Sequence, residues 1–578
     1  MYTAFSVNMT KVTEFQFAQF IPHLHSYMPM LKPVTETEMR FGVSLPGPAL
    51  IFGDTCSREQ SLIFGYEHGA VYPDSYFEYR LERDSSEKTT VKLLARKGNF
   101  FDGQPVGGKD IFTSVWFHLL MAEGDTLLGH YRTFFERCIT QYTESRKPYI
   151  FYNTWNYQER DRNLHGKSYL ANMRLQRILA EIEIAHKIGI EVFVIDTGWF
   201  EKTGDWQVNL ERFPDTLKTV SQKLFSYNMK MGLWINPIAA ARSSKIISQH
   251  PEYRMSLDGK IPCDPVWESE ESYGVCLASP YWEYLAERLI AISREFGVTY
   301  FKWDGIGQSG CDSPLHNHGG GTNNPKERAE CYGYLLGCRM IQTTEKLIEA
   351  CPDVIIDFDI TETGRFVGLG FLATGKYFLV NNGPYAKDFD IPRDYRFGQE
   401  KPVTIDGWTN IFFYPGAARP RFCRTGIQYD PLVPANLFLT HYLPDGNSCA
   451  RNNSLASLVL GGNGIWGPLT ELTTEEITFW HDNLACYKKV REASASAAVK
   501  VTGRPGSSPE IYEKIDTAAG LGLISFFTGE PGTYTYITGP FAKTPQVLNA
   551  KNHTWLQGGF LQLVIDLERD GAQTVFLT

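Results

Sequence analysis

The stretch VTYFKWDG (298–305) is β-branched and aromatic up to its last residues, where Lys302 and Asp304 stand two positions apart. It lies between two long amphipathic runs, PYWEYLAERLIAISREFG (280–297) and KERAECYGYLLGCRMIQTTEKLIEA (326–350). A short apolar run between helical segments reads as one strand of a parallel sheet that helices cover on both faces. The alternation continues toward the N-terminus with PYIFYNTW (148–155), EVFVIDTGW (191–199) and MKMGLWINP (229–237). Toward the C-terminus come DVIIDFDI (353–360), KYFLVNN (376–382), LFLTHY (437–442) and SLASLVLGG (454–462). Eight strands over about 330 residues predict a (β/α)8 barrel carrying insertions. A doubly wound open sheet would compete, but no glycine-rich phosphate fingerprint follows any of these runs.

Outside the barrel the texture changes. Residues 1–145 read as short extended segments such as ALIFG, SLIFGYE and TTVKLLARK between turn residues, which predicts a sandwich-like β domain. Residues 493–578 return to short strands, SPEIYEKI, LGLISFFTG, TYTYITG and FLQLVIDLE, which predict an antiparallel β domain. The barrel is thus expected over 146–492. Ser279 before Pro280 and Thr473 with Glu476 read as helix starts.

Composition narrows the function. A formal charge of −9 speaks against a nucleic-acid binder, which needs a basic face. No apolar run is long enough to span a bilayer, so no membrane partner is expected. The first twenty residues lack the layout of a secretory signal, which predicts a cytoplasmic protein or one whose export signal was removed. Eleven cysteines, an odd number with no CxxC pair, favour reduced thiols. Aromatic residues reach 14%, which suits flat apolar faces with polar edges.

In a barrel the active site lies at the C-terminal ends of the strands. Those ends supply Asn153 and Trp155, Asp196 and Trp199, Trp234 and Asn236, Lys302 and Asp304, Asp357 and Asp359, and Asn381 and Asn382. Lys302 and Asp304 share one face of their strand and point into the mouth, where the ammonium favours an ionised carboxylate. An ionised aspartate among tryptophans suits attack on, or stabilisation of, an oxocarbenium-like centre. His316 and His318, beside Cys311 in the loop SGCDSPLHNHGGGTNN (309–324), are the close histidine pair of the barrel region, and the loop reads as a solvated turn. No metal and no cofactor are expected.

The motifs NTW (153–155), IDTGWF (195–200), FPDTLKTVSQKLFSYNMKMGLWINP (213–237), HPEY (250–253), KWD (302–304), ETGRF (362–366) and LTELTTEEITFWHDNLACYKKVRE (469–492) run in one order along the barrel. In that order the chain resembles glycoside hydrolase family 36, the retaining α-galactosidase-like enzymes. The resemblance implies Asp304 as catalytic nucleophile, Lys302 beside the sugar, and Trp155, Asp196 and Trp234 in the galactose subsite. Trp199 joins them as a substrate-binding candidate at the end of its strand.

Four departures accompany the resemblance, one of them ITETGR (360–365) where the family has a Cys-Ser-Gly-Gly-like segment, which brings Glu362 into that loop. Asp196 is followed by Thr197 where the family has paired aspartates, which opens the site to a different or modified glycoside. Asn236 precedes Pro237 where the family has a glutamate. The family's acid/base aspartate position falls on Asn382, here counted as a substrate-binding candidate. An amide cannot shuttle the proton, and loss of such help slows turnover by about 10²- to 10⁴-fold. Glu362 and Asp388 are then the catalytic candidates for proton transfer, with Asp390 in reserve. The expected activity is hydrolysis of terminal α-galactosides or related glycosides by double displacement, with a carbohydrate as partner and self-association left open. A non-hydrolytic carbohydrate-binding barrel and a transglycosylase stay open as alternatives.

Overall fold

The computed structural model describes residues 2–578 apart from 10, 16–19, 22–25, 28–30, 46, 68–76, 87, 96–114, 306–309, 320–321, 360–367 and 381–414. Eight parallel strands close into a barrel: β1 (Phe151–Asn153), β2 (Val192–Ile195), β3 (Lys230–Ile235), β4 (Val298–Trp303), β5 (Ile355–Asp359), β6 (Lys376–Val380), β7 (Phe438–Tyr442) and β8 (Asn463–Trp466). Seven of the eight runs read from the sequence contain their strand. The eighth differs. SLASLVLGG falls largely in a helix, Ser448–Leu458, and the strand is the NGIW that follows it. A continuous apolar run of that length suits a buried helix as well as a strand, and here every described side chain from Ser454 to Leu458 is buried.

The barrel interior is filled by side chains from alternate strand positions. Phe151, Val194, Tyr300, Ile355, Phe378, Leu439 and Trp466 pack together there, so aromatic rings take much of the space that branched aliphatics usually hold. Gly232 makes this fit. A Cβ at that position would lie 2.8 Å from the Tyr300 ring and 2.9 Å from Val194. Outward-facing Phe193, Ile195 and Phe301 meet the helix layer. One helix of that layer, α1 (Leu175–Ile188), buries Ile178, Ile182, Ala185 and Ile188 at helical spacing and stops at Gly189 in the left-handed conformation, φ +95°.

Helix starts follow the expected chemistry. Thr473 caps α2 (Thr474–Ser496) in a reciprocal box with Glu476. The helix after Pro280 begins one residue later than read, at Tyr281, and the Ser279 hydroxyl accepts from the Tyr281 N–H at 3.3 Å.

The flanking units are both β-rich. On the N-terminal side a four-stranded sheet (Tyr2–Val7, Thr89–Ala95, Phe77–Arg83, Val43–Leu45) faces a five-stranded one (Phe117–Glu123, Gln60–Tyr66, Ala49–Phe52, Val12–Phe15, Leu31–Val34) across a core that includes Leu50, Phe52, Leu81 and Val91. This region is not all strand: Gly124–Phe134 is a helix, which packs Leu127 and Tyr131 into the main core. On the C-terminal side a five-stranded and a three-stranded antiparallel sheet enclose Ile511, Phe526, Leu563 and Val575. Among the described residues no helix is long and apolar enough to cross a membrane.

One carboxylate ties the three parts together. Asp430, fully buried, lies 2.8 Å from Lys514 of the C-terminal sheets and 3.3 Å from Arg132 of the N-terminal helix, and accepts backbone N–H groups from Ala435 and Val499. Burial pushes its carboxyl up, but Lys514 and Arg132 outweigh it and hold the group below its ordinary value. Replacing it by Asp430→Asn leaves two buried cations short of an anion, which costs about 3–5 kcal/mol. Because the folded value is depressed, that stability is complete above a pH of about 4 and is lost as the pH falls through the folded value. Chemical denaturation should therefore show the gap between wild type and Asp430→Asn at neutral pH and its narrowing on acidification.

Candidate active site

The strand ends converge on a buried group of charges. Lys302, 1% exposed, sits inside the mouth with its Nζ 3.1 Å from Asp196 Oδ2 and 3.8 Å from Asp359 Oδ2. Parallel pairing sets this geometry: Trp234 is in register with Lys302, and Lys302 with Asp357, so Asp359 stands one step above Asp357 on the inward face. Burial acts to lower the Lys302 ammonium, but Asp196, Asp304 and Asp359 outweigh it and hold the group above its ordinary range. Burial raises the Asp196 carboxyl, against the pull of Lys302, the Thr197 N–H and Asn153. The direct hydrogen-bonded ion pair of Lys302 is thus made with Asp196, from two strands away, while its strand neighbour Asp304 adds to the negative field around it.

Local chemistry around Asp196 explains the NTW motif. Asn153 donates from Nδ2 to Asp196 Oδ2 at 3.0 Å and accepts the Trp155 N–H on Oδ1 at 2.7 Å. Thr154 Oγ1 accepts the Asp196 N–H, and Asp196 Oδ1 accepts the Thr197 N–H. Below this layer Tyr300 donates to Asp357, whose carboxyl burial raises to about 7 against the pull of Tyr300, Lys302 and Lys376.

Asp304 occupies a different setting. Its Oδ2 accepts a hydrogen bond from Trp234 Nε1 at 2.9 Å and its Oδ1 accepts the Gly305 N–H at 2.6 Å. Gly305 is required there: it has φ +65°, and a Cβ would come within 2.4 Å of the Asn236 amide. Asp304 lines a cavity of about 350 Å³ together with Trp234, Asn236, Asp264, Trp267 and Tyr273. The nucleophile candidate therefore faces open space with its oxygens oriented by neutral N–H donors.

The aromatic candidates divide. Trp234 lines the cavity. Trp155 is 2% exposed and packs against Tyr169 and Trp267, with ring centroids at 5.4 and 4.6 Å. Trp199 is fully buried in the main core, and its Nε1 donates to the Trp234 carbonyl at 2.8 Å, so it supports Trp234 from behind. Asn382, Glu362, Asp388 and Asp390 lie outside the described residues. The loop read as a solvated turn is different from that reading: Cys311, His316 and His318 are buried, at 0%, 4% and 0% exposure.

One wall of the cavity was not read from the sequence at all. The insertion after β3 forms a small antiparallel sheet (Ala239–Ala241, Glu271–Gly274, Cys263–Pro265) that carries Asp264, Trp267 and Tyr273 to the mouth. Trp267 is 38% exposed with φ +54°. A tryptophan in a polar turn-rich segment, CDPVWESEESYG (263–274), on the loop side of a barrel strand is the signal that could have found it.

Residues 127–376 match the family model described as Melibiase. "Alpha-galactosidase 1" of Pediococcus pentosaceus is 27% identical over 194 residues, 32% of this chain and 25% of the relative. An "A type blood alpha-D-galactosamine galactosaminidase" of Flavonifractor plautii is 27% identical over 173 residues, 28% of this chain and 16% of that protein. The chain's match thus spans about a quarter or less of the length of these curated relatives. Among solved structures, the α-galactosidase of Lactobacillus brevis superposes with a TM-score of 0.70 at 14% identity, covering 99% of this chain and 74% of that one. A variant of the Geobacillus stearothermophilus α-galactosidase AgaA, in complex with raffinose, superposes with a TM-score of 0.65 at 14% identity, covering 100% and 76%. At that identity the likeness is one of fold: a barrel with β units on both flanks.

Two outcomes follow from the charges and the wall. Lys302→Met leaves two buried carboxylates without their cation, a loss of about 3–5 kcal/mol. Since the folded lysine lies above its ordinary value, its stabilisation is complete below a pH of about 10 and is lost only as the pH rises through the folded value. The variant should melt well below wild type at neutral pH, with the gap closing only in strong base. Trp267→Ala, tested with an aryl glycoside that the wild type turns over, should raise KM several-fold and leave the melting temperature nearly unchanged, because this ring is part-exposed at the rim.

Proposed function

We propose that this chain, a member of the melibiase family, is a retaining α-glycosidase of the α-galactosidase type. The observation that carries this reading is the carboxylate of Asp304, held by Trp234 and Gly305 and facing the cavity. In the reaction an Asp304 oxygen bonds to the anomeric carbon as the bond to the leaving oxygen breaks, while a second carboxyl group protonates that oxygen. Water then attacks the glycosyl-enzyme, the second carboxylate takes its proton, and Asp304 is released. Asp196 and Lys302 offer an acceptor and a donor for sugar hydroxyl groups, and Trp155, Trp234 and Trp267 offer apolar faces. Thr197 in place of a second acidic residue supports a glycoside modified at that position, and the name of the Flavonifractor plautii relative points to a galactosamine.

Double displacement requires the second carboxyl about 5–5.5 Å from Asp304. Glu362 and Asp388 are the proposed sources, and Asp264 joins them because it lines the same cavity. Asn382 is the proposed sugar contact, and Trp199 acts through Trp234. The barrel proposed here spans 146–492, between units at 1–145 and 493–578. The substrate is a carbohydrate; neither a nucleic acid nor a cofactor has a part in the reaction.

The test compares wild type with Asp304→Ala on aryl α-galactoside, α-N-acetylgalactosaminide and β-L-arabinopyranoside. An activated aryl leaving group needs little acid help, so turnover reports on the nucleophile alone. Expected is release of the aryl group from at least one substrate by wild type and its loss in Asp304→Ala. Equal rates in the two proteins would falsify the assignment, and saturable sugar binding without release would favour the non-hydrolytic reading. Among Glu362→Gln, Asp388→Asn and Asp264→Asn, the acid/base variant should lose about 10²- to 10⁴-fold on an unactivated disaccharide while keeping most aryl turnover.

A further inference from the structure

Behind the cavity wall, two cysteines and two histidines meet in the core. Cys276 follows the insertion after β3, and Cys311, His316 and His318 lie in the loop between β4 and the helix Pro325–Ala350. All four are buried, and one sulfur or nitrogen from each lies within 4.8 Å of the others. Cys311 Sγ is 3.3 Å from His316 Nδ1.

The histidine tautomers are set by their outer partners. A carbonyl oxygen only accepts, so His316 donates from Nε2 to the Glu252 carbonyl at 2.6 Å, and His318 donates from Nδ1 to the Arg328 carbonyl at 3.0 Å. Each ring then turns its lone pair the other way, His316 Nδ1 toward Cys311 and His318 Nε2 into the cluster. His318 Nε2 is buried and has no hydrogen-bond partner. A metal-bound imidazole shows this pattern, with its second nitrogen fixed by a backbone carbonyl.

We propose that Cys276, Cys311, His316 and His318 hold a structural zinc ion. Two sulfurs and two imidazole nitrogens make a soft tetrahedral donor set, which selects zinc over oxygen-seeking cations. Zinc bonds of about 2.0–2.3 Å separate tetrahedral ligands by roughly 3.3–3.8 Å, so the outermost pair need close by only about 1 Å. Four protein ligands leave no open position, which makes the site structural rather than catalytic. A disulfide between the two cysteines would use the sulfurs and strand both buried lone pairs.

The ion would pin two loops that form the mouth. Asp312, next to Cys311, accepts the Asp258 N–H at 2.8 Å and the Ser256 hydroxyl at 2.9 Å, and Arg328 donates to its carbonyl. Zinc would thus clamp the loop that follows Asp304 onto the insertion that carries Trp267. This site stands or falls separately from the glycosidase reading.

The test is the metal content of the full-length protein, expressed with zinc and freed of any histidine tag, measured by mass spectrometry. Expected is about one zinc per chain. A picolylamine chelator should remove it with a fall in melting temperature of several degrees, and added Zn²⁺, not Mg²⁺, should restore the original value. Cys311→Ala and His318→Ala should each lose the metal. Should either fail to fold, cobalt exchanged into wild type decides: intense visible bands with thiolate-to-cobalt charge transfer support the site. Zinc below about a tenth per chain, full zinc in both variants, or a weak octahedral cobalt spectrum overturns it. Two thiols missing on titration of the unfolded, unreduced chain would also overturn it, in favour of a disulfide.

Discussion

An ammonium sealed inside a barrel has to find anions within a few ångströms, because the desolvation it suffers is otherwise uncompensated. Lys302 meets that demand with Asp196 and Asp359, contributed by strands on either side of it. Much else at the mouth follows from satisfying the three together. Asn153 and the Thr197 N–H complete the hydrogen bonding of Asp196, and Asn153 also holds the turn that carries Trp155. The tight turn into Gly305 and the Trp234 indole then orient Asp304 toward the cavity. A charge cluster is in this sense the keystone of the site, and the apolar barrel below it supplies the low dielectric that makes its geometry matter.

The same logic operates at the joints between units. Asp430 gathers Arg132 and Lys514 from opposite flanks, and Arg424 meets Glu510 in a second buried pair at 2.7 Å. Such pairs add little over well-packed apolar residues, yet they are costly to break singly, so they enforce one docking of the flanks on the barrel. The mouth is finished by insertions rather than by the barrel proper. A small sheet after β3 supplies one wall, and the loop after β4 is held against that insertion through Asp312 and His316.

How far these features could be read in advance depends on the range of the interaction. Asp304, Lys302, Asp196 and Trp234 were visible as polar or aromatic ends of apolar strands, and the structure brings all four to one mouth. Asp196 as a direct partner of Lys302 was not legible beside the strand neighbour Asp304, because it lies 106 positions away. Trp199 resembled Trp234 in sequence, yet one lines the cavity and the other is sealed behind it. His316 and His318 looked like residues of a solvated turn, since nothing local says that a glycine-rich loop will be folded inward. The eighth strand was placed about nine residues early for a similar reason: an apolar run alone does not distinguish a buried helix from a buried strand.

The chain by itself determined the alternation of strand and helix, the closure that eight such units permit, and the kinds of side chain at the C-terminal ends of the strands. Those are consequences of periodicity and of capping chemistry, which act over a few residues. Only the tertiary structure decided which carboxylate meets the lysine, which tryptophan faces open space, and which thiols and imidazoles converge. Strand register, insertion packing and the burial of a polar loop are set by contacts between residues far apart in the chain. Their free energies exist only once the barrel has closed.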